Sequence, residues 1–198
     1  MRTVLQALRE SIEPRVIQTG PLELSESESS STCPMTKLER AGQAIALRFD
    51  DWRYKDHVTI PTNRWLFPLF DVSQGRAPMC RSCDYVVFHT LPRRPDVLFV
   101  LLFELKSKSG RGARVQLRNG KLIADYILSV IRLHGEVSRW PAEICFRGIV
   151  LAPDARNTRG GMRAPARADY ITDDRLRPDL WVTSQRPGSS FSIEFFCA

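Results

Sequence analysis

The feature that most restricts the fold is the apolar run Val97-Leu-Phe-Val-Leu-Leu-Phe103, which continues as Glu104-Leu105-Lys106. A run this hydrophobic is typical of a strand that is covered on both faces. Because side chains alternate along a strand, Glu104 and Lys106 must project to the same side, where the strand leaves the core. The run therefore predicts a central strand that ends in two opposite charges on one face.

The segments around this strand predict a sheet. Residues 84–90, DYVVFHT, are rich in β-branched and aromatic residues, and the loop LPRRP joins them to the strand at 96–106 as a hairpin. The segment RWLFPLF at 64–70 predicts a weaker strand because it contains a proline. Further strands are predicted at 143–153, 179–186 and 190–196.

Helical periodicity appears in two places. Thr36-Lys37-Leu38-Glu39 has the spacing of a capping box, and it predicts a helix over about 36–50. Apolar residues then follow at helical intervals: Leu38, Ala41, Ile45 and Phe49. In 113–134 the apolar residues form one broad face, which predicts a buried helix: Leu122, Ile123, Tyr126, Ile127, Val130 and Ile131. The order is helix, three strands, helix, strand, with extra C-terminal strands, so we expect an α/β fold with a central mixed β-sheet flanked by helices.

Length and composition favour one globular domain, because 198 residues with 43% hydrophobic and 26% charged residues are ordinary for such a fold. Residues 2–13 predict a short amphipathic helix, and the serine-rich segment at 25–32 has no pattern that could enter a core. We therefore divide the chain into a peripheral segment, 1–32, and an α/β domain, 33–198.

The sequence predicts a cytoplasmic protein without a membrane partner. No apolar run approaches the roughly 20 residues that cross a bilayer, and the N-terminus lacks the apolar block of a secretory signal. Five cysteines, an odd number without a framework pattern, are expected to be reduced.

The predicted hairpin brings a second carboxylate to the end of the central strand, because Asp84 opens the strand that pairs with 97–106. Two carboxylates are a common protein contribution to a Mg²⁺ or Mn²⁺ site, whose remaining ligands are water and phosphate oxygens. Lys106 beside such a metal can orient or help deprotonate a water nucleophile and neutralise charge on phosphorus. The alternative is a structural ion pair of Glu104 with Lys106 or with a neighbouring arginine.

Asp84 and Glu104-Leu105-Lys106, in this order of elements, resemble the PD-(D/E)XK nuclease superfamily, which includes many restriction enzymes and Holliday-junction resolvases. The resemblance covers about residues 36–152 and implies a restriction-endonuclease-like core. It implies that Asp84 and Glu104 bind the metal and that Lys106 is the catalytic lysine. The chain departs from the family pattern in having Cys83, rather than proline, before Asp84.

The resemblance implies two further catalytic residues. Members often carry a glutamine on the helix after the lysine strand, where this chain has Gln116, and some carry an acid on the first helix, where it has Glu39. Each has a structural alternative, because Gln116 is also compatible with a solvated helix position and Glu39 with the capping box.

Basic residues predict a nucleic-acid-binding surface in a chain of net charge +7. Arg111, Arg114, Arg118 and Lys121 recur at helical intervals after the lysine strand, and Arg159 and Arg163 lie in a glycine- and proline-rich segment at 154–169. The alternative is that the helix face and the segment are only solvated.

Together these features predict a metal-dependent nuclease, with DNA as the expected substrate and defence, restriction or repair as the expected setting. Two alternatives stay open: a catalytically inactive nucleic-acid-binding or scaffold subunit with a nuclease-like fold, and an interaction subunit whose basic surface binds an acidic protein. No helix-turn-helix or zinc-finger reader is recognisable, so targeting is expected to come from loops, a protein partner or a homo-oligomer.

Overall fold

The computed structural model describes residues 2–18, 22–25, 33–39, 44–49, 82–110, 112–153, 155, 168–172, 180–188 and 190–197. The α-helices are α1 (Val4–Ser11), α2 (Ala113–His134) and α3 (Ile193–Phe196), and a 3-10 turn covers Pro14–Val16. The strands are β1 (Leu22–Leu24), β2 (Thr36–Glu39), β3 (Ile45–Arg48), β4 (Tyr85–Leu91), β5 (Arg94–Leu105), β6 (Glu143–Leu151), β7 (Ile171–Thr172), β8 (Leu180–Gln185) and β9 (Ser190–Ser192).

The larger sheet has six strands in the order β3-β4-β5-β6-β8-β7. β3, β4 and β5 form an antiparallel meander, β5, β6 and β8 run parallel, and β7 is an antiparallel edge strand. Parallel neighbours need a long crossover between them, and α2 lies in the connection from β5 to β6. The sheet is therefore mixed, as the sequence predicts.

One face of this sheet is covered by α1 and α2. Alternate residues of the central strands point to the helices, among them Phe88, Leu98 and Leu102, and all three are buried. From α2 the buried contacts include Leu117 and Leu128. The helical layer and the sheet thus share one apolar cluster.

The opposite face is covered by a second, three-stranded sheet, β1-β2-β9, together with α3. The intervening residues of β5, including Phe99, Leu101 and Phe103, point to this side and are fully buried. Phe103 meets Phe196 of α3 edge to face, with ring centroids 5.4 Å apart. The apolar run at 97–103 is therefore covered on both faces, which confirms the first expectation from the sequence.

Several other predicted elements are confirmed. The helix at 113–134 is α2, the hairpin is β4 and β5, and the predicted strands at 143–153 and 179–186 contain β6 and β8. The predicted strand at 190–196 is only half right, because β9 ends at Ser192 and α3 follows. The predicted strand at 64–70 lies outside the described residues.

The predicted helix at 36–50 is wrong, because its described residues form β2 and β3. In β2 burial alternates, with Thr36 and Leu38 buried and Lys37 and Glu39 exposed, which is the period of a strand. Thr36 does not cap a helix: its Oγ1 accepts a hydrogen bond of 3.1 Å from the Gly188 backbone N–H. Pairing of β2 with both β1 and β9 outweighs the local helical pattern.

From β4 onwards the order of the described elements is as predicted, with β4, β5, α2 and β6, but the helix before them is α1, and β1, β2 and β3 follow it before β4. Leu5 and Leu8 of α1 are buried in the apolar cluster between the helices and the six-stranded sheet. β1 pairs with β2 in the three-stranded sheet. α1 and β1, which lie in the segment at 1–32, thus belong to the layers of the fold.

The outer side of α2 also differs from the prediction. Ile123 and Ile131 are buried, but Leu122, Tyr126 and Val130 are exposed, so the broad apolar face is only partly covered.

Candidate active site

The ends of β4 and β5 place Asp84 and Glu104 together. Tyr85 pairs with Phe103, so continuing the antiparallel register sets the preceding Asp84 opposite the following Glu104. Both residues have the same parity as the helix-facing residues of their strands, such as Val86 and Leu102, and therefore project towards α2. The same-face arrangement predicted from the hairpin is present.

Hydrogen bonds hold the backbone at this point. Asp84 Oδ2 accepts a bond of 2.6 Å from the Leu105 backbone N–H, and the Asp84 carbonyl accepts one of 2.9 Å from Phe49. On the other side, the Lys106 N–H donates to the Leu151 carbonyl over 2.8 Å. The strand ends that carry the acids and the lysine are thus fixed by neighbours on both sides.

Lys106 lies between an acid and an amide. Its Nζ is 2.6 Å from Glu104 Oε1 and donates a hydrogen bond of 2.7 Å to Gln116 Oε1. The Glu104 side chain is only 1% exposed, whereas that of Lys106 keeps 24% of its surface in solvent. The carboxylate is therefore inside the protein, and the ammonium lies at its boundary with solvent.

Gln116 reaches the site because α2 begins close to the end of β5. Gly112, with φ of 79°, caps the helix N-terminus in a left-handed conformation that glycine adopts without strain. One turn beyond Gln116, Gly120 lies against the sheet, where a Cβ atom would overlap Cys83 Sγ. The lack of a side chain at Gly120 thus lets α2 approach the strand that carries Asp84.

Cys83 is a buried thiol next to the acids. Burial raises its pKa well above the ordinary value, and the negative charges of Glu104 and Asp84 raise it further. Because the thiolate is disfavoured, this thiol is not suited to nucleophilic chemistry. Cys33, Cys145 and Cys197 are the other free thiols of the described residues, and Cys80 lies outside them.

The other predicted site residues are distributed differently. Glu39 is exposed on β2, in the three-stranded sheet, and is not on the first helix. Arg114 is exposed and Arg118 is half-buried on α2. Lys121 is buried, its Nζ lying 2.8 Å from Asp125 Oδ2 and 4.1 Å from the centroid of the Phe146 ring, so the predicted basic stripe does not extend to it. Arg111, Arg159 and Arg163 lie outside the described residues.

The donor set at the strand ends fits a hard divalent cation. Asp84 and Glu104 offer carboxylate oxygens on one face, and Mg²⁺ is commonly held by one or two carboxylates with water and substrate oxygens. Among the described residues there is no group of three or more His, Cys, Asp and Glu side chains that could hold a metal ion.

Two contributors to the site escaped the sequence analysis. The Leu105 backbone N–H orients Asp84, and Gly120 sets the distance of α2 from the sheet. The role of the Leu105 N–H could not be predicted, because a backbone group donates independently of the side chain. Gly120 could have been noticed, because a glycine inside a strongly periodic helix often indicates close packing.

Comparison with protein-family models, curated proteins and solved structures finds no match to this chain. Among the helices that the structure describes, none is both long and apolar enough to cross a membrane.

Proposed function

We propose that this protein is a metal-dependent nuclease that hydrolyses phosphodiester bonds of nucleic acid, with DNA as the expected substrate. One observation carries the proposal: the Lys106 ammonium is held between Glu104 and Gln116 on the face of the sheet to which Asp84 also projects. Two acids can hold a metal ion and a neighbouring ammonium can stabilise charge on phosphorus, so these groups, with the amide beside them on adjoining rigid elements, can support metal-assisted attack of water on phosphorus.

In the proposed mechanism Asp84 and Glu104 would hold Mg²⁺ or Mn²⁺. The ion, when bound, would supply Lewis-acid activation of the phosphate and of water. Lys106 orients the attacking water and stabilises negative charge on the phosphate oxygens while the new P–O bond forms and the bond to the departing oxygen breaks. Gln116 keeps the ammonium in place through the 2.7 Å bond, so its proposed role is positioning.

The main competing interpretation is a structural ion pair. Glu104 is almost fully buried in this salt bridge. Removal of either partner would therefore strongly destabilise the folded protein, because the remaining charge would have no counter-ion in the interior. In that case the protein would be a nucleic-acid-binding or scaffold subunit without hydrolysis. Substitutions that keep shape but change charge separate the two interpretations.

The experiment measures cleavage of plasmid, linear duplex, single-stranded DNA and RNA in Mg²⁺, Mn²⁺ or EDTA. Wild type should cleave at least one substrate with metal and none with EDTA. Glu104→Gln and Lys106→Met should lower the rate by about 100-fold or more while nucleic-acid affinity stays close to wild type, because the transition state loses more than the ground state. Gln116→Ala should have a smaller effect, about tenfold to 100-fold.

Lys108→Ala, an exposed lysine two residues beyond Lys106, and Glu23→Gln, on the three-stranded sheet, are the matched controls and should cleave normally. Circular dichroism and urea denaturation report whether each variant is folded. Undiminished cleavage by both Glu104→Gln and Lys106→Met would overturn the proposal. If the wild-type protein binds nucleic acid but cleaves no substrate with either metal, the result would instead favour the interpretation as a nucleic-acid-binding or scaffold subunit without hydrolysis.

A further inference from the structure

α2 carries a second apolar stripe on the side away from the sheet. It consists of Val115, Leu122, Tyr126 and Leu133, all exposed, with Tyr126 at 70% and Leu133 at 76%, and Val130 lies at its edge. We refer to these four residues as the outer stripe. A helix that is apolar on two opposite sides is usually covered on both, and contiguous exposed apolar surface marks an interaction site.

Helix geometry places the outer stripe in a narrow band. At 100° per residue its four members fall within about 40° of one another, about 180° away from the buried Ala113 and Ile131. The polar residues nearest to this band, Asn119 and Ser129, carry no charge, although 26% of the chain is charged. The band is thus free of charge along the whole helix.

The spacing of the outer stripe reads the same in both directions. From residue 115 the intervals are seven, four and seven, so the stripe is symmetric about residue 124. A second α2 packed antiparallel would set Val115 against Leu133 and Leu122 against Tyr126, on each side of a two-fold axis. Such an interface is isologous, the arrangement found in most homodimers.

We propose that the outer stripe is a homodimer interface in which α2 pairs antiparallel with α2 of a second copy. A phosphate backbone or an acidic protein would require cations, which this band lacks, whereas the reversible spacing fits the same helix. The proposal uses no residue of the candidate active site and stands apart from the proposed nuclease activity.

The size of the surface sets the strength of the association. A helix of 22 residues is about 33 Å long, so a band about 10 Å wide offers a few hundred Å² per copy, less than the ~800 Å² of a typical stable interface. Each copy also carries a net charge of +7, which opposes association at low salt. The dimer should therefore depend on concentration and become tighter as salt is added.

Sedimentation equilibrium from about 1 µM to about 200 µM, at low and high salt, tests the association. Wild type should shift from monomer to dimer, at lower concentration in high salt. Leu122→Glu with Leu133→Glu should remain monomeric with an unchanged unfolding curve, since both side chains are exposed. Ile171→Glu, which removes an equally exposed apolar side chain from β7, should still dimerise. A wild-type monomer throughout, or a dimer in the double variant, would overturn the proposal.

Cross-linking tests the antiparallel register. A mixture of Val115→Cys protein and Leu133→Cys protein should form a disulfide between the two variants under mild oxidation, whereas Leu133→Cys protein alone should form little, because its two copies would be about 27 Å apart along the helices. Wild type, with its native cysteines, gives the background. Efficient cross-linking of Leu133→Cys protein to itself would show parallel pairing and would overturn the proposed interface.

Discussion

Glu104 is an acid buried at the end of the most apolar strand, a position that costs stability unless the charge is compensated. Lys106 compensates it, but a buried ion pair is often no more stable than apolar residues of the same volume. An apolar strand end would hold the sheet together equally well. Stability alone therefore does not account for this pair, and the proposed function predicts that a Glu104→Leu, Lys106→Leu double variant unfolds at about the wild-type free energy but does not cleave nucleic acid.

At the same scale, His89 predicts acid lability. It is buried in β4, and burial lowers its pKa from the ordinary 6.5, while the nearby Glu194 carboxylate partly opposes the shift. Because the folded state binds this proton less readily than the unfolded state, its contribution is fully present above about pH 6.5 and is lost as the pH falls below that value. Urea denaturation should therefore report a lower unfolding free energy at pH 5.5 than at pH 7.5.

His89→Phe removes the titrating group and keeps an aromatic ring, so its unfolding free energy should fall less between these two pH values. If His89→Phe and wild type lose the same free energy, burial of His89 is not a source of the acid sensitivity.

Strand alternation was sufficient to predict that Glu104 and Lys106 share a face, because it depends only on local geometry, and the register of the predicted hairpin brought Asp84 to the same side. Lys121 was misplaced because helical spacing gives the direction of a side chain but not what packs against it. It lies only about 20° around the helix from the exposed Arg114, yet its ammonium is over the Phe146 ring of β6. Its pairing with Asp125 was a further signal, at a spacing of four residues.

At the scale of elements, α2 and β5 were predictable because each has an unbroken pattern longer than any competing one. β2 was not, since Thr36-Lys37-Leu38-Glu39 satisfies a helix cap and a strand alternation equally. Its partners β1 and β9 decide the outcome, and β9 lies more than 150 residues away in the chain. The pattern of residues within β2 contains no information about a partner so distant in the sequence.

The close approach of α2 to the sheet predicts a coupling between Gly120 and Cys83. Alanine at 120 gains about 1 kcal/mol in helix preference, but its Cβ would overlap Cys83 Sγ, and overpacking costs about 1 to 3 kcal/mol. Gly120→Ala should therefore be neutral to destabilising in urea denaturation. It should also slow cleavage, because a displaced α2 moves Gln116.

Cys83→Ala in the Gly120→Ala background removes the overlapping sulfur and should recover part of the lost stability, so the two changes should not be additive. Ser129→Ala, on the exposed side of α2, is the control and should unfold like wild type. Additive free energies in the double-variant cycle would show that the two residues do not limit the helix position.

For the whole molecule, a net charge of +7 predicts nucleic-acid binding that weakens as salt rises. Arg114→Glu with Arg118→Glu should reduce affinity for all sequences alike and flatten the slope of log affinity against log salt. Fluorescence anisotropy with labelled duplexes of unrelated sequence measures both. The control is Arg94→Glu, because Arg94 is an exposed arginine at the opposite end of β5. This variant should keep a slope close to that of wild type. If the Arg114 and Arg118 substitutions leave the slope of log affinity against log salt unchanged, this face of α2 does not bind nucleic acid and is only solvated.

The parallel pairing of β2 with β9 has a consequence for how the chain folds during synthesis. Residues from α1 to β6 can assemble the helical layer as they emerge, but the opposite layer needs Ser190–Ser192 and α3, which are made after them. Until then Phe99, Leu101 and Phe103 have no complete cover. Contacts of such high sequence separation form slowly, so the nascent protein would offer this aromatic surface to a chaperone before the second layer closes.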